Sequence, residues 1–329
     1  MQANPSGTAF LRCLAILIVI NSHSDAFYPN SQLATGGAIG NALFFMLSSL
    51  GLYLSERSRP RAFVDWYSRR VVRIYPAVWV VFLAIQLPIW GFYGRLEFDE
   101  SLQLIGNLFY PVWWFLQALL VYYLLVYPVI HGYRDRKLVV AAALGVCVYM
   151  LAYATQVDTS RFSVEDLPFR AYFYFLPFLL GIFIARRLPS IRVVSWRDTT
   201  LLILFVGAFY LHKYFMDDGR LLDIQFLQQW VLLPISYYAF KVCQTGIVTR
   251  WIMGIRPIAL VATAISAMTL ELYMVHLAYR EVFLDLSVSF PVDWVLFLAA
   301  SFASAYVVHR VAALIQARAR ARVAAPSAG

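Results

Sequence analysis

The sequence predicts an all-α, polytopic membrane protein with about ten transmembrane helices and both termini in the cytoplasm. Three observations predict it. The chain of 329 residues is 61% hydrophobic and only 14% charged, whereas a soluble domain averages about 25% charged residues. Its apolar residues collect in runs close to the ~20 residues that cross a hydrocarbon core. Its basic residues sit in short loops between those runs and favour one side.

In chain order, spans are expected over roughly 8–27, 36–55, 71–93, 104–130, 138–156, 169–186, 199–215, 225–242, 256–279 and 292–315. The first holds "FLRCLAILIVINSHSDAF", which is interrupted by Arg12 and His23 and followed by no A-x-A-like site, so it reads as a retained span rather than a signal peptide. The fourth is long, and its "FYPVWWF" supplies the aromatic residues of an interfacial stretch. Polar stretches reach only loop length, roughly 15 residues or fewer, so no soluble domain is expected. The chain therefore divides into one transmembrane domain over 1–316 and a basic, disordered cytoplasmic tail over 317–329, "ARARARVAAPSAG".

Loop charges test the count. With the N-terminus inside, about twenty of the 27 Lys and Arg fall on the inner side and about six outside, while Asp and Glu lean outward. A missed or invented helix would scramble that division. The net charge of +9 is thus explained by topology, and no nucleic acid is expected as a partner. Cys13, Cys147 and Cys243 lie in apolar segments without metal or disulfide spacing, and no metal site is expected.

Against this background the polar residues inside spans stand out, because each costs roughly 2–3.5 kcal/mol at helix-centre depth unless it faces a cavity or a partner. Arg12 and His23 are about 20° beyond three full turns of helix 1 from one another, so they share one face of it, separated by about 16 Å along its axis. Taken alone, Arg12 also fits a snorkelling arginine and His23 an interfacial histidine. Helix 9 holds Glu271, Tyr273 and His276 in "SAMTLELYMVHLAYREVF". Glu271 at that depth needs a cation, a donor or its own proton, and a structural pair with an arginine would also satisfy it. Two histidines and a glutamate at similar depth suit proton handling. Third, "SERSRPRAFVDWYSRRVVRIYP" carries six arginines, of which Arg69, Arg70 and Arg73 enter helix 3 at helical spacing. Anionic-lipid anchoring accounts for them, and so does bidentate capture of the phosphates of a soluble polyanion such as coenzyme A.

In order, "RCLAILIVINSH", "NALFFMLSSLGLYL", "FVDWYSRRVVRIYPAVWVV", "VWWFLQALLVYYLLVYPVI", "LPFLLGIFIARR" and "ISAMTLELYMVHLAYREV" make the chain resemble the integral-membrane acyltransferase-3 family over nearly its whole length. That family is similar to O-antigen, exopolysaccharide, Nod-factor and peptidoglycan O-acyltransferases. One departure is Ser48-Ser49 where many relatives read Ser-Gly, a change that a close helix contact accommodates. A second is the expected absence of the appended extracytoplasmic esterase-like domain of some members.

The resemblance implies a multi-pass enzyme of the bacterial inner membrane that moves an acetyl or other short acyl group to a hydroxyl of an extracytoplasmic glycan such as O-antigen or exopolysaccharide. It implies acetyl-CoA (acyl-CoA) as co-substrate, no tightly bound cofactor, and a glycan or lipid-linked saccharide and membrane lipid as partners. His23 and Arg12 then match the family's Arg–His pair, with Glu271 and His276 as further catalytic candidates and Arg69, Arg70 and Arg73 as the donor-binding cluster. The rival reading is a proton-coupled transporter or flippase, which also uses buried Arg, His and Glu. Such proteins show related halves and broken helices, and the sequence pattern displays neither.

Overall fold

The computed structural model describes residues 3–94, 106, 109, 111–131, 135–286 and 288–324. Among them every regular element is helical and there is no strand. The helices are α1 (Pro5–Ser22), α2 (Gly37–Ser58), α3 (Phe63–Val81), α4 (Leu87–Phe92), α5 (Trp114–Ile130), α6 (Asp135–Gln156) and α7 (Phe169–Arg187). They continue with α8 (Ser195–Asp217), α9 (Phe226–Cys243), α10 (Arg256–Ala267), α11 (Thr269–Leu284) and α12 (Val292–Ala324). Among the described residues, seven helical segments are long and apolar enough to cross a membrane, or eight if the bent pair α10–α11 is one span. The membrane reading also follows from which side chains are exposed. Only 11% of the apolar stretch of α8 is buried inside the protein, and Ile203, Leu204 and Leu211 on it are exposed. A helix apolar all round with an uncovered face belongs in lipid.

Several boundaries differ from the sequence pattern, each for a local reason. α1 ends at Ser22 instead of continuing to 27. The polar run from Asn21 onward turns the chain: His23 N–H and Ser24 N–H donate to the carbonyls of Ile20 and Asn21, and the Asn21 amide donates to the carbonyls of Leu33 and Thr35. The helical projection linking Arg12 to His23 therefore holds only as far as Ser22. α3 starts at Phe63 instead of near 71, so Arg69 and Arg70 lie within the helix together with Arg73. Their charges hide the amphipathic pattern that buries Trp66 and Ile74. A π-helical turn over Phe82–Gln86 then leads into α4.

The ninth expected span breaks into α10 and α11, bent by 75°. Neither Gly nor Pro marks the bend; Met268 takes the non-helical φ of −110° and ψ of 25°. α5 is shorter than the fourth expected span, most of whose first residues, 104–110, lie outside the described ones. α9, the eighth expected span, is not among the helices apolar enough to cross, and it buries Gln228, Gln229 and Lys241. α12 continues helically through Ala324, into the stretch expected to be an irregular tail, as its alternating Ala and Arg favour; residues 325–329 lie outside the described ones.

The chain forms two compact units. The first comprises residues up to Val19, Gly36–Pro60 and Tyr122–Ala267. Its central contact is α2 against α7. A Cβ on Gly181 would stand 2.0 Å from the Met46 carbonyl oxygen and 2.1 Å from Ser49 Oγ, so only glycine permits this approach. Ser49, the departure from the Ser-Gly pattern, is buried there and donates to the carbonyls of Met46 and Phe178. Nearby, α9 packs on α8 through the buried Lys241–Asp198 pair at 2.6 Å.

The second unit comprises Ile20–Thr35, Arg61–Val121 and Met268 onward. Here α3, α11 and α12 pack on one another. The segment after α1 is fixed onto α11 and α12: Phe27 stacks on Phe297 at 4.8 Å, and Trp294 Nε1 donates to Ser24 Oγ at 3.3 Å.

Candidate active site

The second unit brings together two of the residues singled out from sequence. His23 Nδ1 lies 3.0 Å from His276 Nε2, with ring centroids 5.1 Å apart. His276 is fully buried, and its Nδ1 lies 2.7 Å from the Leu272 carbonyl oxygen one turn back on α11. A carbonyl oxygen only accepts, so His276 Nδ1 carries hydrogen. The neutral ring then holds its lone pair on Nε2, which accepts from His23 Nδ1–H. That fixes the His23 tautomer and places its ring lone pair on Nε2.

The backbone around His23 is held as firmly as the ring. Arg280 Nε donates to the His23 carbonyl at 2.9 Å, and Arg280 Nη2 donates to Asp25 Oδ1 at 2.8 Å. Tyr273 presents its ring edge-on to His276 at 5.9 Å, and Phe115 packs against Tyr273 at 5.0 Å. One ring nitrogen of His23 is thus engaged by a partner that is itself oriented by the backbone.

Glu271 occupies the first turn of α11, and its partner is neither His23 nor His276. Glu271 Oε1 accepts from His309 Nδ1 of α12 at 3.0 Å. Glu271 is buried, 6% exposed, and Oε2 has no hydrogen-bond partner among the described residues. Of the arginine cluster, Arg69 Nε bonds Asp65 Oδ1 at 3.0 Å and Arg70 lies over the Trp66 ring at 5.7 Å. Arg73 is exposed, and its carbonyl accepts from Gln316 Nε2 of α12 at 3.0 Å. Arg12 belongs to the first unit, half-buried on α1, with Nη2 3.6 Å from where a Cβ on Gly51 would stand.

A match to the family described as "Acyltransferase domain" covers residues 9–310. The chain belongs to the acyltransferase-3 family. It is a multi-pass membrane acyltransferase, and the histidine pair lies inside the matched region. No curated protein and no solved structure matches the chain.

Two features of this acyltransferase were not singled out from its sequence. His309 ends an apolar run beside Arg310 and so reads as an interface residue, yet it holds Glu271. In the first unit, His131 Nε2 lies 3.2 Å from Glu56 Oε1, and Glu56 is only 2% exposed. The signal for that pair was a glutamate six residues beyond Leu50 on a helix whose other faces are apolar, masked by the arginines that follow. Among the described residues, no group of three or more His, Cys, Asp and Glu is placed to hold a metal.

Proposed function

We propose that this acyltransferase moves an acetyl or other short acyl group from cytoplasmic acyl-CoA to a hydroxyl of an extracytoplasmic glycan, such as O-antigen or exopolysaccharide, in the bacterial inner membrane. The observation that carries the reading is the His23–His276 pair with its fixed tautomer. Sugar hydroxyls are weak nucleophiles at neutral pH and need a base at the moment of attack.

In this mechanism His23 Nε2 takes the hydroxyl proton as the sugar oxygen bonds to the thioester carbonyl carbon. The C–S bond then breaks with its electron pair going to sulfur, and the resulting thiolate takes the proton from His23. No net proton is made or consumed. An acyl group carried briefly on His23 would use the same lone pair. His276 Nε2 steadies the positive charge that develops on His23, which is the part a carboxylate plays in a Ser-His-Asp triad.

Arg69, Arg70 and Arg73 are assigned to the coenzyme A phosphates. Support comes from their common helix and from α12. That helix bonds the segment after His23 near its start, through Trp294, and α3 at Arg73 near its end, through Gln316. Roughly 33 Å of helix axis separates Trp294 from Gln316, about the thickness of a hydrocarbon core. Donor capture at one end and acyl transfer towards the other match a reaction whose substrates come from opposite sides. Family resemblance carries the role of Arg12, which is to orient the donor carbonyl and stabilise its oxyanion.

The bend between α10 and α11 is a feature shared with transporters. One assay separates the readings: membranes incubated with labelled acetyl-CoA and glycan. Alkali-labile label on the glycan supports acyl transfer, and glycan movement without modification refutes it.

A further inference from the structure

We propose that Glu271, held by His309, is a binding residue for the donor's pantetheine arm, accepting a hydrogen bond from one of its amide N–H groups at Oε2. The inference rests on the acyl-CoA reading above. It starts from an imbalance. Glu271 is more than nine-tenths buried, yet only Oε1 is bonded, to His309 Nδ1 at 3.0 Å, while Oε2 meets no donor among the described residues. A buried carboxylate oxygen left without a donor is costly, and native proteins rarely keep one without a use.

Position identifies the use. His309 lies on α12 between the two ends of the proposed site, about 10 Å of helix axis from Gln316 at the Arg73 end and about 22 Å from Trp294 at the His23 end. On α11, Glu271 precedes His276 by five residues, about 7.5 Å of axis. The two side chains are about 140° apart around that helix, and Glu271 bonds neither His23 nor His276. Glu271 is therefore poorly placed to move the hydroxyl proton and well placed beside the route between phosphates and thioester.

What lies between those parts of coenzyme A is a neutral arm with two amides. Each amide N–H needs an acceptor once it leaves water. A carboxylate whose other oxygen is pinned by a histidine gives such a donor a fixed, charge-assisted partner. His309 is then a positioning residue: it holds Oε1 so that Oε2 keeps its aim.

Three donors separate this role from a structural one, using the full chain in membranes. They are acetyl-CoA, S-acetylpantetheine, which keeps both amides without the nucleotide, and the acetyl thioester of 2-mercaptoethanol, which has no amide. Glu271→Ala is expected to lower kcat/KM about 10- to 100-fold for the first two donors. For the amide-free thioester the fall should be no more than about threefold, within the spread of context effects on a single contact. Glu271→Gln, which retains an acceptor oxygen, should lose less than Glu271→Ala on the amide-bearing donors. If Glu271→Ala fails to accumulate in the membrane, Glu271→Gln and His309→Asn report the same ratio between donors. An equal loss on all three donors, or no loss on any, overturns the inference and leaves the acyl-CoA reading standing. A wild-type protein that transfers acetyl from none of the three removes both.

Discussion

Replacing His276 by Phe keeps a ring of similar bulk in a fully buried site while removing the Nε2 acceptor that faces His23 Nδ1 at 3.0 Å. The magnitude follows from when that contact matters. Before reaction it joins two neutral rings and contributes about 1 kcal/mol. Once His23 has taken the hydroxyl proton the same contact becomes charge-assisted, worth about 1.5–3 kcal/mol. Only the difference, about 0.5–2 kcal/mol, acts on kcat, so at about 1.36 kcal/mol per tenfold His276→Phe should lower kcat roughly 2- to 30-fold. KM for acyl-CoA should barely change, because the lost interaction belongs to the transition state. His23→Ala should cost about 10²- to 10⁴-fold, the range for losing a general base. The double variant should be no slower than His23→Ala, since His276 acts only through His23. The assay is initial-rate release of coenzyme A thiol in membranes containing equal amounts of each variant. A His276→Phe enzyme with wild-type kcat, or a double variant slowed by the product of the single effects, would refute the reasoning.

Other predictions address the donor site, the packing and a loop. Arg70→Ala should raise KM for acyl-CoA several-fold with kcat little changed, an expectation from losing one charge-assisted phosphate contact; an unchanged KM would return the cluster to lipid anchoring. Gly181→Ala should lower apparent stability by about 1–3 kcal/mol, the usual cost of overpacking, because the new Cβ meets a backbone carbonyl at 2.0 Å. Thermal unfolding of the solubilised protein measures it, and an unchanged melting temperature would show that α2 and α7 part freely. Glu165, in the loop between α6 and α7, has its pKa raised from the ordinary 4.5 mainly by burial, against the donors Gln229 and Tyr174 and the charge of Arg170. A raised carboxyl contributes stability that is fully present below its unfolded pKa and is lost as pH rises through the folded one. The melting temperature should therefore decline from pH 4 towards neutrality, and Glu165→Gln should flatten that decline; an identical slope would mean that Glu165 is not the group responsible.

The membrane character was legible because lipid imposes a strong constraint: long apolar runs and asymmetric arginines are hard to explain otherwise. His276 and Glu271 were legible for the same reason, since a polar residue within an apolar run calls for a partner. Their partners were not. His23 and His276 lie 253 residues apart in the chain, and nothing local links Glu271 to His309 across the α11–α12 hairpin. The end of α1 could have been read from the polar run Asn21-Ser22-His23-Ser24-Asp25, whose side chains and turns compete with helix. The bend at Met268 could not, because the usual breakers are missing and the apolar pattern runs straight through it. Arg69 and Arg70 fell just before the expected start of the third span at 71, although α3 begins at Phe63, since hydropathy alone ends a span where an amphipathic helix continues.

The central claim is that the histidine pair performs acyl transfer from a thioester inside the cell to a sugar hydroxyl outside it. The most direct measurement is transfer of labelled acetate from acetyl-CoA to surface glycan, comparing wild type with His23→Ala at equal abundance in the membrane. Alkali-labile label that appears with the wild type and vanishes with His23→Ala is the predicted result. Equal labelling by the two proteins would contradict the account.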